Sequence, residues 1–325
     1  MRAIIPVAGL GSRLKPHTYS TPKVLLNVGG KPILGHILDK LIEEDVQKAT
    51  FVIGHLGDKI IEYVQSSYPL IQAEFIEQKE MEGLGHAIYT AIPTFDDDEI
   101  FIILGDTIFD VNLKEVFKKR QTALGVKEVD DPRRFGVAVT EKGFIKKLIE
   151  KPQVLVSNLA LVGLYYIADS DALKKSLTQL VENNVRTKGE LQLTDALQMM
   201  LDDGVKISTF PVDGWYDCGK PETLLATNQF LLDQKSVNRE FDSVIIKRPV
   251  FIAADAEISN SVIGPYSTID SGCKIDECII KNSIVGSNAL ISKSLLENSI
   301  IGSNAVINGM FKKLNAGDSS EIDFY

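Results

Sequence analysis

The chain has 325 residues, enough to bury a substantial core and, as a prior, about two domains. Hydrophobic residues make up 44% and charged residues 24%, the mix of an ordinary globular protein, and no apolar run is long enough to span a bilayer. A formal charge of −9 argues against nucleic-acid or membrane-surface partners, so an anionic substrate has to be attracted by locally clustered Lys and Arg. Cys218, Cys273 and Cys278 give neither a disulfide framework nor zinc-ligand spacing, and residues 3–7 are too short an apolar run for a signal peptide. A reducing cytoplasm is the expected setting.

Over about the first 230 residues, short apolar runs alternate with amphipathic stretches, which predicts α/β architecture: a Rossmann-like domain around a mixed, mostly parallel sheet. Strands are expected at 3–7, 50–53, 73–76 and 99–104; the run from Ile100 to Leu104 is apolar throughout, as in a central strand covered on both faces. Between the first two, Ile33, Leu34, Ile37, Leu38, Leu41 and Ile42 fit one helical face. A later helix is expected from Pro221 to about Leu232.

From about residue 250 the texture changes. The decamers 260–269, 282–291 and 298–307 all read N-S-[VI]-[IV]-G-x-x-[AS]-x-I. Aliphatic residues from Ile258 through Ile263, Ile269, Ile275, Ile280, Val285, Ile291, Leu296 and Ile301 to Ile307 recur every five or six positions. That rhythm fits neither a helix nor a flat sheet, but it fits a short left-handed parallel β-helix of some three coils, the alternative being an irregular β-rich tail. The expected segments are a catalytic domain over 1–240 and a repeat domain with its tail over 241–325.

Chemistry concentrates first at Ala8-Gly9-Leu10-Gly11-Ser12-Arg13-Leu14-Lys15-Pro16, directly after the first strand. Two glycines let the backbone approach a ligand, and exposed N–H groups can hold phosphate oxygens. No G-K-[ST] closes the loop as in a Walker motif, and Leu14 occupies the third glycine position of a dinucleotide fingerprint. Arg13, by a planar fork, and Lys23, as a point charge, can both reach a triphosphate, whereas Lys15 and Lys31 read as a solvated basic face. Asp106, in Leu104-Gly105-Asp106, sits at the carboxyl end of the buried strand, where a carboxylate beside a triphosphate is a natural Mg²⁺ ligand.

Ala8 to Pro16 together with Pro22-Lys23 resembles the signature of the sugar-phosphate nucleotidylyltransferases. The spelling Ile5-Pro6-Val7-Ala8-Gly9-Leu10-Gly11 is closest to bacterial UTP–glucose-1-phosphate uridylyltransferases, with glucose-1-phosphate thymidylyltransferases as neighbours. The resemblance covers about residues 1–230; the repeat-rich tail departs from both groups, though similar tails occur on other members. It implies a Mg²⁺-dependent enzyme that transfers a nucleoside monophosphate from UTP or dTTP to a sugar 1-phosphate, glucose 1-phosphate foremost. Ala8, Gly9 and Gly11 would hold the nucleotide, while Gln78 and Gly83 would read the base edge; His86 reads equally as helix-start packing.

In Trp215-Tyr216-Asp217-Cys218-Gly219, the resemblance makes Asp217 a second metal ligand beside Asp106, the alternative being a cap for the helix at Pro221. On the sugar side it implies Gly136, Glu150, Asn158 and Glu190, with Lys151 joining Arg13 and Lys23 in catalysis by neutralising the sugar phosphate. Glu150-Lys151 reads otherwise as an exposed ion pair, and the two can act together only if the chain turns there, as Pro152 suggests. Glu190 reads otherwise as a helix-start acid.

Two rivals remain. A non-catalytic regulatory or scaffold subunit of the same fold predicts lost site charges, yet all are present. A bifunctional enzyme with an acyltransferase β-helix predicts a histidine in the tail, but the four histidines are His17, His36, His55 and His86. The tail is expected to stabilise or assemble a homo-oligomer.

Overall fold

The computed structural model describes residues 1–96, 99–235 and 241–309. Residues 236–240 and 310–325, which end the two expected segments, lie outside the described residues, as do 97–98. Compactness divides the chain into Met1–Leu26 with Lys31–Thr227, and Asn27–Gly30 with everything from Asn228 onward.

The first unit is built on a nine-stranded sheet. Its first strand, Arg2–Pro6, is buried along nearly its whole length between Lys48–Ile53 on one side and Ile100–Ile103 on the other, both parallel to it. Gln72–Glu77 pairs in parallel beyond Lys48–Ile53. Helices Ile33–Glu43 and Gly57–Ser67 make the first two crossovers, after which the chain returns to the opposite side of Arg2–Pro6. The strand order therefore reverses at Arg2–Pro6, and ligands gather outside the carboxyl ends at such a switch point.

The expected strands appear with ends shifted by one or two residues. The sheet is mixed, as expected, with its parallel pairings mostly in this N-terminal half. Leu159–Ile167 runs antiparallel to both Ile100–Ile103 and Ala123–Glu128, and Ser208–Pro211 lies parallel to the latter. The strand order ends in the hairpin Gly136–Glu141 with Phe144–Glu150, whose first strand also pairs back onto Leu159–Ile167 through Val137 and Ala160. The hairpin's turn residues Lys142 and Gly143 both have positive φ, 52° and 83°, the type I′ geometry that matches strand twist.

On helix Ile33–Glu43, Ile33, Leu34, Ile37, Leu38 and Leu41 are buried as the periodicity predicts, but Ile42 is 42% exposed. It lies in the last turn, one step round from Leu41, and faces solvent. The later helix runs over Pro221–Gln234.

The second unit is a parallel β-helix, consistent with the expected left-handed form. Its three faces each stack four short parallel strands, so the coil count exceeds the three expected. The additional rung, Val244–Ile246 with Val250–Ile252, lacks the N-S-x-x-G spelling, which hid it in the sequence. Ile258, Ile275, Ile291 and Ile307 stand in register through successive coils of 16 or 17 residues, and the inward aliphatics form one core.

The repeated spelling has a local cause. Asn260, Asn282 and Asn298 hold φ of 46°, 44° and 52°, left-handed corners that asparagine tolerates better than most residues. The serine that follows each one bonds back across the corner: Ser261, Ser283 and Ser299 donate to the carbonyls of Ser259, Lys281 and Glu297 at 2.6–2.9 Å. Asparagine amides also stack between coils, as Asn282 Nδ2 donates to Asn298 Oδ1 at 2.6 Å. At Gly264, with φ 93°, a Cβ would collide with the Lys247 carbonyl oxygen, so no other residue fits without moving a coil.

Ile280 is fully buried in the β-helix core. Ile280→Ala removes methyl and methylene groups that close packing cannot replace, and it is expected to lower stability by about 2–5 kcal/mol in urea unfolding followed by circular dichroism.

Candidate active site

The carboxyl end of Arg2–Pro6 leads into the glycine loop, and that of Ile100–Ile103 leads into Leu104-Gly105-Asp106. Gly11 takes φ 61°, and a Cβ there would lie 2.8 Å from Thr18 Cγ2, so local packing requires glycine. The Thr18 hydroxyl holds the turn by donating to the Gly11 carbonyl at 2.9 Å. Gly9 differs: nothing lies within 4 Å of its Cβ position, so the space it leaves belongs to the cleft.

The loop borders a cavity of about 450 Å³, within the range of small-ligand sites. Its walls include Ala8, Gly9, Gly11, Arg13, Lys23, Gln78, Gly83, Asp106 and Glu190. Lys23 Nζ donates to Asp106 Oδ2 at 2.5 Å, with the lysine side chain 10% and the aspartate 36% exposed. Arg13 reaches the same end of the cavity, because a Cβ on Gly219 would lie 2.7 Å from both Arg13 Nη2 and Asp217 Oδ1.

Asp217 ends the strand Gly214–Asp217, paired antiparallel to Thr107–Asp110 with Asp217 opposite Thr107. The Cys218 N–H also donates to the Asp106 carbonyl at 3.1 Å. Backbone pairing thus brings both aspartates to one end of a two-stranded ribbon. Asp217 does not cap the helix at Pro221; there the Thr223 hydroxyl accepts from Lys220 N–H at 3.2 Å. Burial pushes the neighbouring Cys218 thiol up to about 12, with partial relief from Thr227, so this sulfur stays protonated and unreactive at neutral pH.

Two aspartates form a small donor set, and no cluster of three or more His, Cys, Asp or Glu suited to a metal exists among the described residues. Mg²⁺ does not need one, since it commonly keeps several waters and binds through one or two carboxylates plus substrate phosphates. The pair fits that ion and no closed protein cage.

Gly83 meets the Glu190 segment directly. It has φ 116°, and a Cβ would lie 2.6 Å from the Leu191 carbonyl and 2.9 Å from Glu190 Cβ. Glu190 is not a helix-start acid: it closes a tight turn with Thr187 across Lys188 and Gly189, before the helix Leu193–Asp202. Its Oε2 accepts from Gln192 Nε2 at 2.8 Å.

Asp217, Gly136, Glu150, Lys151 and Asn158 are not among the residues that line this cavity, although Asp217 lies beside the lining residue Gly219. The chain does turn at Lys151, where φ is 43°, which lets Lys151 Nζ approach Glu150 Oε1 at 3.4 Å. The Glu150 side chain is 9% exposed and also accepts from the Thr194 hydroxyl at 2.7 Å, so it is not an exposed surface pair. A Cβ on Gly136 would lie 3.0 Å from Glu150 Oε2. Asn158 is exposed, just before strand Leu159–Ile167. The segment from Glu190 through Gln192 to Thr194 links this group to the cavity wall.

Thr194 and Asp195 escaped the sequence reading because ordinary helix-start residues carry no motif. Burial raises the Asp195 carboxyl, against a Thr187 hydrogen bond that lowers it and with the Glu150 charge adding to the rise. Ser12, Met81, Leu84 and Gly219 also line the cavity. Of these, Ser12 lies in the glycine loop, Leu84 follows Gly83 and Gly219 ends the Trp-Tyr-Asp-Cys-Gly run, whereas Met81 carried no signal.

Residues 2–234 match the family model for nucleotidyl transferases. The low-salt glycan biosynthesis nucleotidyltransferase Agl11 of Haloferax volcanii is 31% identical, across 88% of this chain and 87% of its own. The bifunctional protein GlmU of Methanocaldococcus jannaschii is 36% identical across 79% of this chain, which spans only 61% of that longer relative. Among solved structures, a UDP-glucose pyrophosphorylase complexed with UDP-glucose superposes with a TM-score of 0.61 at 25% identity, covering 72% of this chain and 99% of that one. With its glycine loop, basic groups and paired aspartates at the sheet's switch point, this chain belongs to the nucleotidyl transferase family, among the sugar nucleotidyltransferases.

Proposed function

We propose that this protein transfers a uridylyl group from UTP, with dTTP as the second choice, to glucose 1-phosphate, releasing pyrophosphate. The observation that carries this reading is the convergence of Arg13, Lys23 and Asp106 on one cavity beside a glycine loop, with Asp217 next to Arg13 at the lining residue Gly219. The base and sugar choice draws on the motif spelling and on the UDP-glucose bound by the similar solved protein.

An oxygen of the sugar phosphate attacks the α-phosphorus, a new P–O bond forms, and the bond to the β-phosphate oxygen breaks. The attacking phosphate is already ionised at neutral pH, so no general base is required; two polyanions must instead be held in line. Arg13 would stabilise the departing pyrophosphate, and Lys23 the charge around the α-phosphorus. Backbone N–H groups of the Ala8–Gly11 stretch would orient the phosphates. Lys151 would neutralise the sugar phosphate while Glu150, Glu190, Asn158 and Gly136 surround the sugar. Asp106 and Asp217 would hold Mg²⁺, which when bound supplies charge neutralisation on the triphosphate. Lys23 Nζ also bonds Asp106 Oδ2, so the lysine and a cation would share the charge of that carboxylate.

Reading the chain as a non-catalytic subunit is disfavoured by the complete set of site charges. An acyltransferase tail is disfavoured because all four histidines precede residue 87. We read the tail as an assembly element joining two copies of the chain. Ile245, Val262, Ile279 and Leu295 stand in register on one face, with Ile245, Ile279 and Leu295 exposed by 62%, 48% and 70%.

Among described residues, no helix is long and apolar enough to cross a membrane. A cytoplasmic setting remains part of the proposal.

Asp106→Asn should reduce magnesium-dependent pyrophosphate release by at least about 100-fold, with circular dichroism unchanged; full activity would refute the metal role. A pyrophosphate-release screen crossing UTP, dTTP, ATP, GTP and CTP with several sugar 1-phosphates should give its highest kcat/KM for UTP with glucose 1-phosphate. No turnover with any pair would sink the enzymatic reading. For the assembly element, Leu295→Lys should lower the mass measured by light scattering, and an unchanged mass would remove the self-association face.

A further inference from the structure

Gln78 follows the strand Gln72–Glu77, is 6% exposed and lines the cavity. Its amide nitrogen carries two protons, and two acceptors stand opposite: the Gly83 carbonyl at 3.3 Å and His86 Nδ1 at 3.2 Å. Among described residues Oε1 makes no hydrogen bond, yet it is not one of the fully buried side-chain atoms that lack a partner. The accessible space next to it is the cavity.

The position of the His86 proton decides whether this clamp holds. Nε2 faces Glu82 Oε2 at 3.8 Å, and Glu82 is anchored by Arg186 at 2.5 Å. A proton on Nε2 meets that carboxylate and leaves Nδ1 to accept from the amide. The other tautomer would serve the Glu80 carbonyl, 3.1 Å from Nδ1. It would exchange the amide's bond to Nδ1 for that one, keep the Gly83 bond, and turn a bare Nε2 toward the Glu82 carboxylate. The hydrogen bonds then count equally, and the charge contact at Nε2 favours the tautomer that accepts from the amide.

We propose that His86 is a positioning residue: together with Gly83 it holds both amide protons of Gln78, so that Oε1 is the atom offered to the nucleotide base. An acceptor fixed in this way selects a base edge that brings an N–H, as N3 of uracil and thymine does, and repels the bare N3 of cytosine. This deepens the nucleotide reading above and rests on it.

The test compares UTP with CTP at saturating glucose 1-phosphate in wild type, His86→Ala, His86→Asn, Gln78→Ala and the double variant His86→Ala with Gln78→Ala. His86→Ala frees the amide to present its NH₂ group to cytosine. The UTP/CTP ratio of kcat/KM should then fall by at least about tenfold, chiefly through the KM for UTP. His86→Asn, whose Oδ1 can replace Nδ1 as acceptor, should recover part of the ratio. In the Gln78→Ala background, removing His86 should change the ratio no further.

If the wild type shows no preference for UTP over CTP, the nucleotide reading itself fails. A ratio kept in His86→Ala overturns the positioning role and leaves that reading intact. A further fall in the double variant beyond Gln78→Ala also overturns it, since His86 would then act on something other than this amide.

Discussion

The Lys23–Asp106 pair is the contact on which the site depends. It joins the segment after the glycine loop to the turn after Ile100–Ile103, and it keeps a lysine that is 10% exposed from standing as an uncompensated charge. A pair so placed, with one partner a third exposed, owes little to ordinary surface attraction and much to position. It stands where the strand order reverses, so two chain ends diverge and leave room between them. The same room holds Arg13, and Asp217 is delivered beside it by backbone pairing to Thr107–Asp110. Positive and negative groups are thereby held close together.

Glycine supplies the second constraint, at two places for two reasons. Gly11 is required by the protein itself, through its positive φ and the closeness of Thr18. Gly83 is required where two distant segments touch, with the Leu191 carbonyl 2.6 Å from the point where a side chain's first carbon would stand. That contact ties the proposed base-reading end of the cavity to the turn carrying Glu190. Beyond it, Gln192 bonds back to Glu190, and two residues further along the chain Thr194 donates to Glu150, whose other oxygen lies 3.4 Å from Lys151 Nζ. The proposed sugar and nucleotide ends are therefore joined through one short segment, Glu190 to Thr194, although their residues are far apart in sequence. A disturbance at Thr194 would reach Glu150 by losing its 2.7 Å partner.

The β-helix obeys a different economy. Each coil is short, so its stability comes from stacking like on like: aliphatics inward, asparagines at left-handed corners, serines tied back across them. Such a stack is additive from coil to coil. It leaves the outward positions free to vary, which is why an exposed apolar row on one face stands out. Asn228, fully buried, anchors the start of this unit by accepting from Gly29 N–H at 2.8 Å and the Thr268 hydroxyl at 2.6 Å, while donating to the Tyr266 carbonyl at 3.1 Å. A lone helical asparagine gave no hint of that role.

Wherever a feature depends on neighbours in the chain, the amino-acid order was sufficient to determine it. The apolar run at Ile100, the stripe on helix Ile33–Glu43, the glycine loop and the N-S-x-x-G corners are all local, and each one appears where its pattern lies. Local pattern failed at Ile42, at the first rung of the β-helix, and at the antiparallel strand Leu159–Ile167, whose partners lie far away in sequence. The tertiary fold alone decided that Asp217 ends a ribbon strand instead of capping a helix, that Glu190 closes a turn against Gly83, and that Thr194 holds Glu150. It also decided which acceptors surround the Gln78 amide. Periodicity records which face a residue presents, whereas the partner it meets depends on how distant strands are ordered, and that order is fixed only when the whole sheet closes.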